Sequence, residues 1–410
     1  MASEPISFLD PKVQRCPFPA YAEVRKDGPV YFDASCGWYI VTGYDEIRKI
    51  GADAATFSSL TGVINVKEGP EADQINQIYK DEGILPVYSL VSSDPPLHTF
   101  HRSLVDKVFT VSRVKKMQAY IETVVQEMIG EFIADGKAEF VSQFAMKVPN
   151  YIIADQLGAP RSKFADFKRW SDAVIQEGDP SNSYEQKVAI TRTICELQNF
   201  IIEMSDKYRK EPADCMLNDL LQAEDDGRYL EKDELVSIVL QILVAGNDTT
   251  TGAIASGMYR LIKTPGLEQS LRNDPSLIGN FVEEVLRYDS PIQGLWRRAT
   301  CDTRVGDTDI PEGALLVLKF GAANRDPAQF PDPEALDPAR KNARNHMAFG
   351  SGPHFCIGNQ LARSELRTAF TMVLAQMKNF RLARGEEGVK FIEHFFGYGV
   401  HHLEIEFDRV

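Results

Sequence analysis

The sequence of 410 residues predicts a mainly helical protein with a minor strand-rich part. Two observations carry that expectation. From about residue 98 to 290, apolar residues recur at helical spacing, as in KVFTVSRVKKMQAYIETVVQEMIGEFIADG and VAITRTICELQNFIIEMSDKY. Short runs rich in Val, Tyr and Ile, bounded by turn residues, gather instead at about 29–62, 291–320 and 385–410. With 43% hydrophobic and 25% charged residues, the chain can bury a substantial core. Its length could hold two or three average domains, yet it shows no repeat, low-complexity segment or linker-like stretch, so one domain over 1–410 is expected.

Along the chain, PVYF and GWYIVTG read as the first strands. Residues 62–90 and 177–186 read as long loops of the kind that often act as lids. A long helix is expected from about Lys232 to Lys263, and its LVSIVLQILVAG half is apolar enough to run through the core. Strands return in the turn-rich GDTDIPEGALL region, a helix follows over about 356–380, and KFIEHFF and HHLEIEF suggest a closing hairpin.

Forty-five basic against 59 acidic residues leave a net charge of −14, which argues against nucleic acid or an anionic membrane as the main partner. The opening MASEPISFLDPKVQRCPF lacks the basic head and apolar stretch of a signal peptide. No apolar run is long enough to span a bilayer. Six scattered cysteines without a CxxC pair point to reduced thiols and a cytoplasmic setting.

Chemistry concentrates in FGSGPHFCIGNQLAR, residues 349–363, where Cys356 sits in a glycine-studded loop before a helix expected to begin near Ile357. Gly350, Gly352 and Gly358 allow tight turns and close approach, and a helix N-terminus favours a thiolate. On residue chemistry alone, three readings stand: a structural cysteine, a nucleophile, or a metal ligand. A nucleophile wants a base beside it, and no hydrolase pattern accompanies this one.

The spacing FxxGxxxCxG, carried by Phe349, Gly352, Cys356 and Gly358, closely resembles the haem-ligand loop of the cytochrome P450 family. The resemblance implies a triangular, mainly helical fold around a buried haem b, with Cys356 as the proximal iron ligand. Four other segments extend it over nearly the whole chain. VAGNDTTTG places a costly acid inside a helix. Taken alone it could be a polar bend, but Asp248 and Thr249 match the family's acid–alcohol pair that relays protons, and Ala245 and Gly246 match its small residues. In FVEEVLRYDSP, Glu284 and Arg287 stand at i and i+3, by themselves a surface ion pair. They match the family's ExxR element, with Arg340 of ALDPAR as third member, although Leu336 stands where Phe is common. His98 and Arg102 of DPPLHTFHR lie one helical turn apart. With Arg297 and His354 they match the family's propionate contacts; Arg298 is a near alternative, and Phe100 stands where a further basic residue is usual. GAANRDPAQFPDPEALDPAR resembles the meander before the ligand loop.

The resemblance implies a soluble, bacterial-type haem-thiolate monooxygenase, monomeric and cytoplasmic. It would take dioxygen, a small apolar substrate such as a terpenoid, steroid or aromatic compound, and electrons from a ferredoxin served by an NAD(P)H reductase. A peroxide-driven peroxygenase and a non-catalytic haem sensor are the competing readings; the acid–alcohol pair speaks against both. By resemblance the pocket is lined by the 62–90 loop, Leu243, Val244, Asn247, Gly294, Leu295, Trp296, Phe395 and Phe396. Two basic groups, Arg102, Lys107, Arg113, Lys115 and Lys116, then Arg340, Lys341 and Arg344, are expected to receive the ferredoxin.

Overall fold

The computed structural model describes residues 5–62, 70–177 and 182–410. It divides into two compact units, one of Met1–Ser58, Met117–Val148 and Thr249–Val410, the other of Ser59–Lys116 and Pro149–Asp248. The long helix, Lys232–Lys263, passes from the second unit into the first between Asp248 and Thr249.

In the first unit, Val30–Asp33 and Trp38–Val41 pair antiparallel around a turn that uses Gly37 at φ +74°. Leu315–Leu318 joins Trp38–Val41 in parallel, Leu295–Ala299 pairs next to it, and Phe57–Ser58 closes the edge. The apolar run LLVL is explained by that central place, since a strand flanked on both sides has little exposed surface. Val41, Ile47, Phe57, Leu316, Leu318 and Met347 form the core beneath this sheet.

A second sheet of Met377–Leu382, Glu404–Arg409 and Lys137–Glu139 corrects two expectations. The helix expected over 356–380 stops at Gln376, where MKNFRL turns into a strand with a bulge at Lys378 to Arg381 and Asn379 at φ +56°. The helical stretch before residue 290 also contains Lys137–Glu139 and a small hairpin, Glu224–Asp225 with Arg228–Tyr229.

The expected 62–90 loop is largely structured in the second unit. Residues 63–69 lie outside the described residues, but Pro70–Glu82 is a helix. Its Ile75 and Tyr79 pack on Ile190 and Ile194. So few apolar residues among acids and amides hid the helical period. Beyond it the chain is tied by two glutamines. Gln198 accepts from the Ile84 N–H at 2.8 Å and donates to the Ile84 carbonyl at 2.9 Å. Gln241 accepts from the Val91 N–H at 3.2 Å and donates to the Ser89 hydroxyl at 2.8 Å. The other expected loop is shorter than 177–186, because Ser183 and Gln186 form a capping box that starts the helix Tyr184–Lys210. Residues 178–181 lie outside the described residues.

The helix Ile278–Asp289 buries Glu284 and Arg287 completely. Arg287 grips Glu284 with two hydrogen bonds, at 2.6 and 3.0 Å. It also donates to the carbonyls of Asn324, Pro333 and Ala335 at 3.0, 2.9 and 2.8 Å. Arg340 approaches Glu284 at 3.1 Å as an ion pair without hydrogen-bond alignment, and spends its donors on the carbonyls of Pro331, Asp332 and Ala335. What spacing alone rated a surface pair is therefore a buried charge network pinning the meander. Removing one member of such a pair is costly because the other charge stays buried. Glu284→Gln should cost about 3–5 kcal/mol, measured by urea unfolding; a loss under about 1 kcal/mol would contradict the network's role.

Candidate functional site

Around Cys356 the backbone sets the shape. The Cys356 N–H donates to the Phe349 carbonyl at 2.9 Å, and the Gly350 N–H to the Met347 carbonyl at 2.9 Å. Gly350 and Gly352 both lie at φ +69°, a region that penalises a Cβ. At Gly352 a Cβ would also come within 2.2 Å of the Gly51 carbonyl oxygen, near the end of helix Tyr44–Ala52. The next helix begins at Asn359 rather than near Ile357, because Ile357 and Gly358 form a turn. Asn359 reaches back and donates its amide to the Cys356 carbonyl at 2.7 Å. Cys356 thus has its N–H and its carbonyl engaged and its side chain half-buried.

A second buried carboxylate, which sequence reasoning missed, braces this loop. Glu283 is fully buried and accepts from Arg363 Nε at 2.9 Å, from Arg363 Nη2 at 3.0 Å and from Arg367 Nη2 at 3.2 Å. His346 Nδ1 accepts from the Ala348 N–H at 3.1 Å. Its Nε2 therefore carries the proton and donates to Glu283 at 3.2 Å. Burial pushes the His346 imidazole down, consistent with that neutral form. Burial would push the Glu283 carboxyl up, but the hydrogen bonds from His346 and Arg363 outweigh it and hold it down to about 2. Arg363 continues to Asn359 Oδ1 at 2.8 Å and lies over the Phe349 ring at 4.5 Å. The only signal in the sequence was a second Glu beside the one that matched the motif.

On the long helix, Leu243 and Asn247 are buried, Val244, Gly246, Asp248 and Thr249 half-buried, and Ala245 exposed. The small residues expected to flank a haem, Ala245 and Gly246, fall on this stretch, between Leu243 and Asn247. Asp248 accepts a hydrogen bond from Ser171 Oγ at 3.0 Å, and Asn247 donates to the same hydroxyl at 3.2 Å. Ser171, on the helix Phe164–Glu177, carried no motif and could not be found by spacing. Burial pushes the Asp248 carboxyl up to about 6, against the pull of the Ser171 hydroxyl and of Lys168.

The expected propionate cations fall into two sets. His98 is buried and Arg102 half-buried on the helix Leu97–Val108, with Arg102 paired to Asp106 at 3.0 Å. Arg297 is buried in its strand and donates to the Trp296 carbonyl at 2.7 Å. Its neighbour Arg298, half-buried on the alternate side of the strand, donates to the Gly313 carbonyl at 3.3 Å. His354 is half-buried in the turn Gly352–His354 of the ligand loop.

Of the expected pocket residues, Trp296, Phe395 and Phe396 meet directly. Trp296 stacks on Phe395 with centroids 5.4 Å apart and meets Phe396 edge-on at 5.9 Å. Trp38, which the sequence did not single out, completes the cluster at 5.0 Å from Phe395. Gly294 is a place of close approach, since a Cβ would lie 2.4 Å from the Leu318 carbonyl oxygen, and Leu295 beside it is half-buried.

The basic groups need correction. Arg340 is buried against Glu284 and offers no docking charge. Lys107 bonds the Glu224 carbonyl and Arg113 pairs with Asp219. Lys115, Lys116, Lys341 and Arg344 remain exposed, Arg344 while also reaching Glu283 at 3.8 Å.

The family model described as Cytochrome P450 matches residues 64–407. The 6-deoxyerythronolide B hydroxylase of Saccharopolyspora erythraea is 34% identical over 398 residues, 95% of this chain and 95% of that protein. The solved structure of cytochrome P450 CYP109Q5 from Chondromyces apiculatus has a TM-score of 0.88 at 30% identity, covering 99% of this chain and 98% of that one. CYP109E1 from Bacillus megaterium in complex with testosterone has a TM-score of 0.82 at 30% identity, covering 95% and 99%.

The Glu283 brace makes a pH-dependent contribution. A carboxyl held at about 2 when folded and near 4.5 when unfolded stabilises fully above 4.5, and loses that contribution as pH falls towards 2. Glu283→Gln should therefore cost about 3 kcal/mol at pH 7. The gap to the parent protein should close as urea unfolding is repeated down through that window; a gap independent of pH would contradict the ionised brace.

Proposed function

Because this chain belongs to the cytochrome P450 family, whose members bind haem b through a cysteine thiolate, we propose that Cys356 is its iron ligand. We further propose that its substrate is a small apolar compound of terpenoid, steroid or aromatic type. The observation that carries the ligand assignment is the glycine-framed loop, in which two positive-φ glycines and two backbone hydrogen-bonding groups leave Cys356 little conformational choice. The residue types suit the cofactor: Cys356 is a half-buried thiol, and Arg297, His354, His98 and Arg102 are the cations that match the family's propionate contacts. Phe349 and Gly358 complete the loop, and Ala245 and Gly246 keep the long helix slim beside the cofactor.

Bound haem supplies dioxygen activation, favoured by electron donation from the thiolate. The chain supplies the rest. Asp248 carries a proton, and its carboxyl, near 6, can both take one up and give one away close to neutral pH. The Thr249 hydroxyl passes that proton on. Trp296, Phe395 and Phe396 form an aromatic wall suited to placing an apolar substrate and excluding water, while Leu243, Val244, Asn247, Gly294 and Leu295 count as lining by the family resemblance alone. Support for an apolar substrate of this kind comes from the named relatives, one described as a 6-deoxyerythronolide B hydroxylase and another solved in complex with testosterone. A screen of steroids, terpenoids and aromatics for the haem spin-state change identifies the substrate.

Electrons come from a ferredoxin and its NAD(P)H reductase, received by Lys115 and Lys116 and by Lys341 and Arg344. The protein works as a cytoplasmic monomer; no helix among the described residues is long and apolar enough to cross a membrane. Product formation with ferredoxin and NAD(P)H, with peroxide, and with neither separates this reading from a peroxygenase and from a sensor.

Three outcomes test the assignments. Cys356→Ser should abolish the thiolate-type spectrum of the reduced carbon monoxide complex, and survival of that spectrum would refute the ligand. Thr249→Ala should keep haem yet divert electrons to peroxide, while Asp248→Asn should slow turnover more; full coupling in both rules out the relay. Lys116→Glu and Lys341→Glu should each weaken ferredoxin-supported turnover and its salt dependence without changing substrate affinity. Unchanged ferredoxin kinetics in both would remove the docking assignment.

A further inference from the structure

Lys319 is a fully buried lysine that the reaction above does not use. It directly follows the central strand Leu315–Leu318, and its own N–H is tied to the Val41 carbonyl at 2.9 Å. A buried ammonium without a counter-ion is costly, so its surroundings show what keeps it there. Nζ donates to the Phe395 carbonyl at 2.9 Å, and the same ammonium lies 3.5 Å from the centroid of the Phe395 ring and 5.7 Å from that of Phe8. One residue is thus held twice, by its main chain and by its face.

No carboxylate pairs with Lys319 among the described residues. The acids facing it are Asp33, which ends the first strand, and Cys36, in the turn that follows. The Asp33 oxygens are already occupied, by the Phe8 N–H at 2.8 Å and by the Ser35 N–H and hydroxyl at 3.0 and 2.6 Å. On the Phe395 side, Glu393 pairs with Arg15, and His394 packs edge-on against Phe396 at 4.2 Å. Burial pushes the Lys319 ammonium down to about 7, against the weaker pull of Cys36 and Asp33. The turn it grips carries Phe395 and Phe396, whose rings pack on Trp296, and has a further main-chain tie from the Gln293 N–H to the Phe396 carbonyl at 2.6 Å.

We propose that Lys319, as an ammonium, is a specificity-determining positioning residue that holds the Phe395–Phe396 turn in place against Trp296, and that losing its proton loosens this wall of the substrate pocket. The proposal rests on the reading of Trp296, Phe395 and Phe396 as pocket lining. Its sign follows from the contacts: the cation–π attraction exists only for the charged form, so the turn is firm below about pH 7 and loosens as pH rises through it.

The test uses the haem-loaded enzyme. Near-UV circular dichroism, which reads the packing of Trp38 and Trp296, should titrate with a midpoint near 7 in the parent protein. It should not titrate in Lys319→Met, and it should stay in the low-pH form in Lys319→Arg, whose guanidinium keeps its charge. Testosterone, a neutral probe read by the haem spin state, should bind about threefold to tenfold more weakly at high than at low pH in the parent only. A signal that fails to titrate in the parent, or still titrates in Lys319→Met, overturns the proposal. Phe395→Ala separates the two layers. If it leaves testosterone affinity unchanged, the pocket reading has failed and the proposal falls with it. If it changes affinity while the Lys319 variants do not, the pocket reading stands and the role of Lys319 is refuted.

Discussion

Glu283 and Glu284 are neighbours on one helix and both are fully buried. Adjacent helical positions point about 100° apart, so each carboxylate collects its own partners. Glu284 takes Arg287 and Arg340, whose remaining donors run out to the meander carbonyls. Glu283 takes His346, Arg363 and Arg367, which belong to the approach to the ligand loop and to the helix after it. A buried charge is tolerable only when its partners are all in place. The requirement that two anions be neutralised side by side therefore locates the meander and the loop together. The shape of the Cys356 segment depends on both.

The two chemical groups of the proposed reaction are held in different ways. Cys356 is placed by backbone: two glycines at positive φ, an N–H and a carbonyl already committed. Asp248 is placed by side chains, through the Ser171 hydroxyl that Asn247 also addresses. The first arrangement suits a ligand that must not move. The second leaves a carboxyl near 6, with one weakly acidic partner, free to change its protonation state near neutral pH. A further ionisable group with a pKa near neutrality, Lys319, serves neither acid nor ligand but the aromatic wall.

Pairing also decides which charges are left to meet a partner. Of eight basic residues grouped by sequence, Arg340 is consumed in the core, and Lys107 and Arg113 are spent on a backbone carbonyl and on Asp219. Of the eight, Lys115, Lys116, Lys341 and Arg344 stay exposed, in a protein with net charge −14. Local complementarity within a Debye length of roughly 8–10 Å is what these residues can offer an acidic partner.

Much of the architecture and of the site was legible because it is local. Helical period over 232–263, glycines around Cys356 and the i, i+3 spacing of Glu284 and Arg287 are properties of short windows, and the structure keeps all three. The misses have one cause in common. The helix Pro70–Glu82 forms because a few isoleucines and a tyrosine find Ile190 and Ile194, more than 100 residues away. The strand Met377–Leu382 exists because Glu404–Arg409 lies beside it. Glu283 is indistinguishable from a surface glutamate until Arg363, 80 residues on, reaches it. Ser171 and Lys319 carry no pattern at all; what makes one a carboxylate's partner and the other a buried cation is burial beside groups remote in sequence. Periodicity, turn chemistry and motif spacing are written in neighbouring residues, whereas burial and charge compensation arise only when distant segments pack.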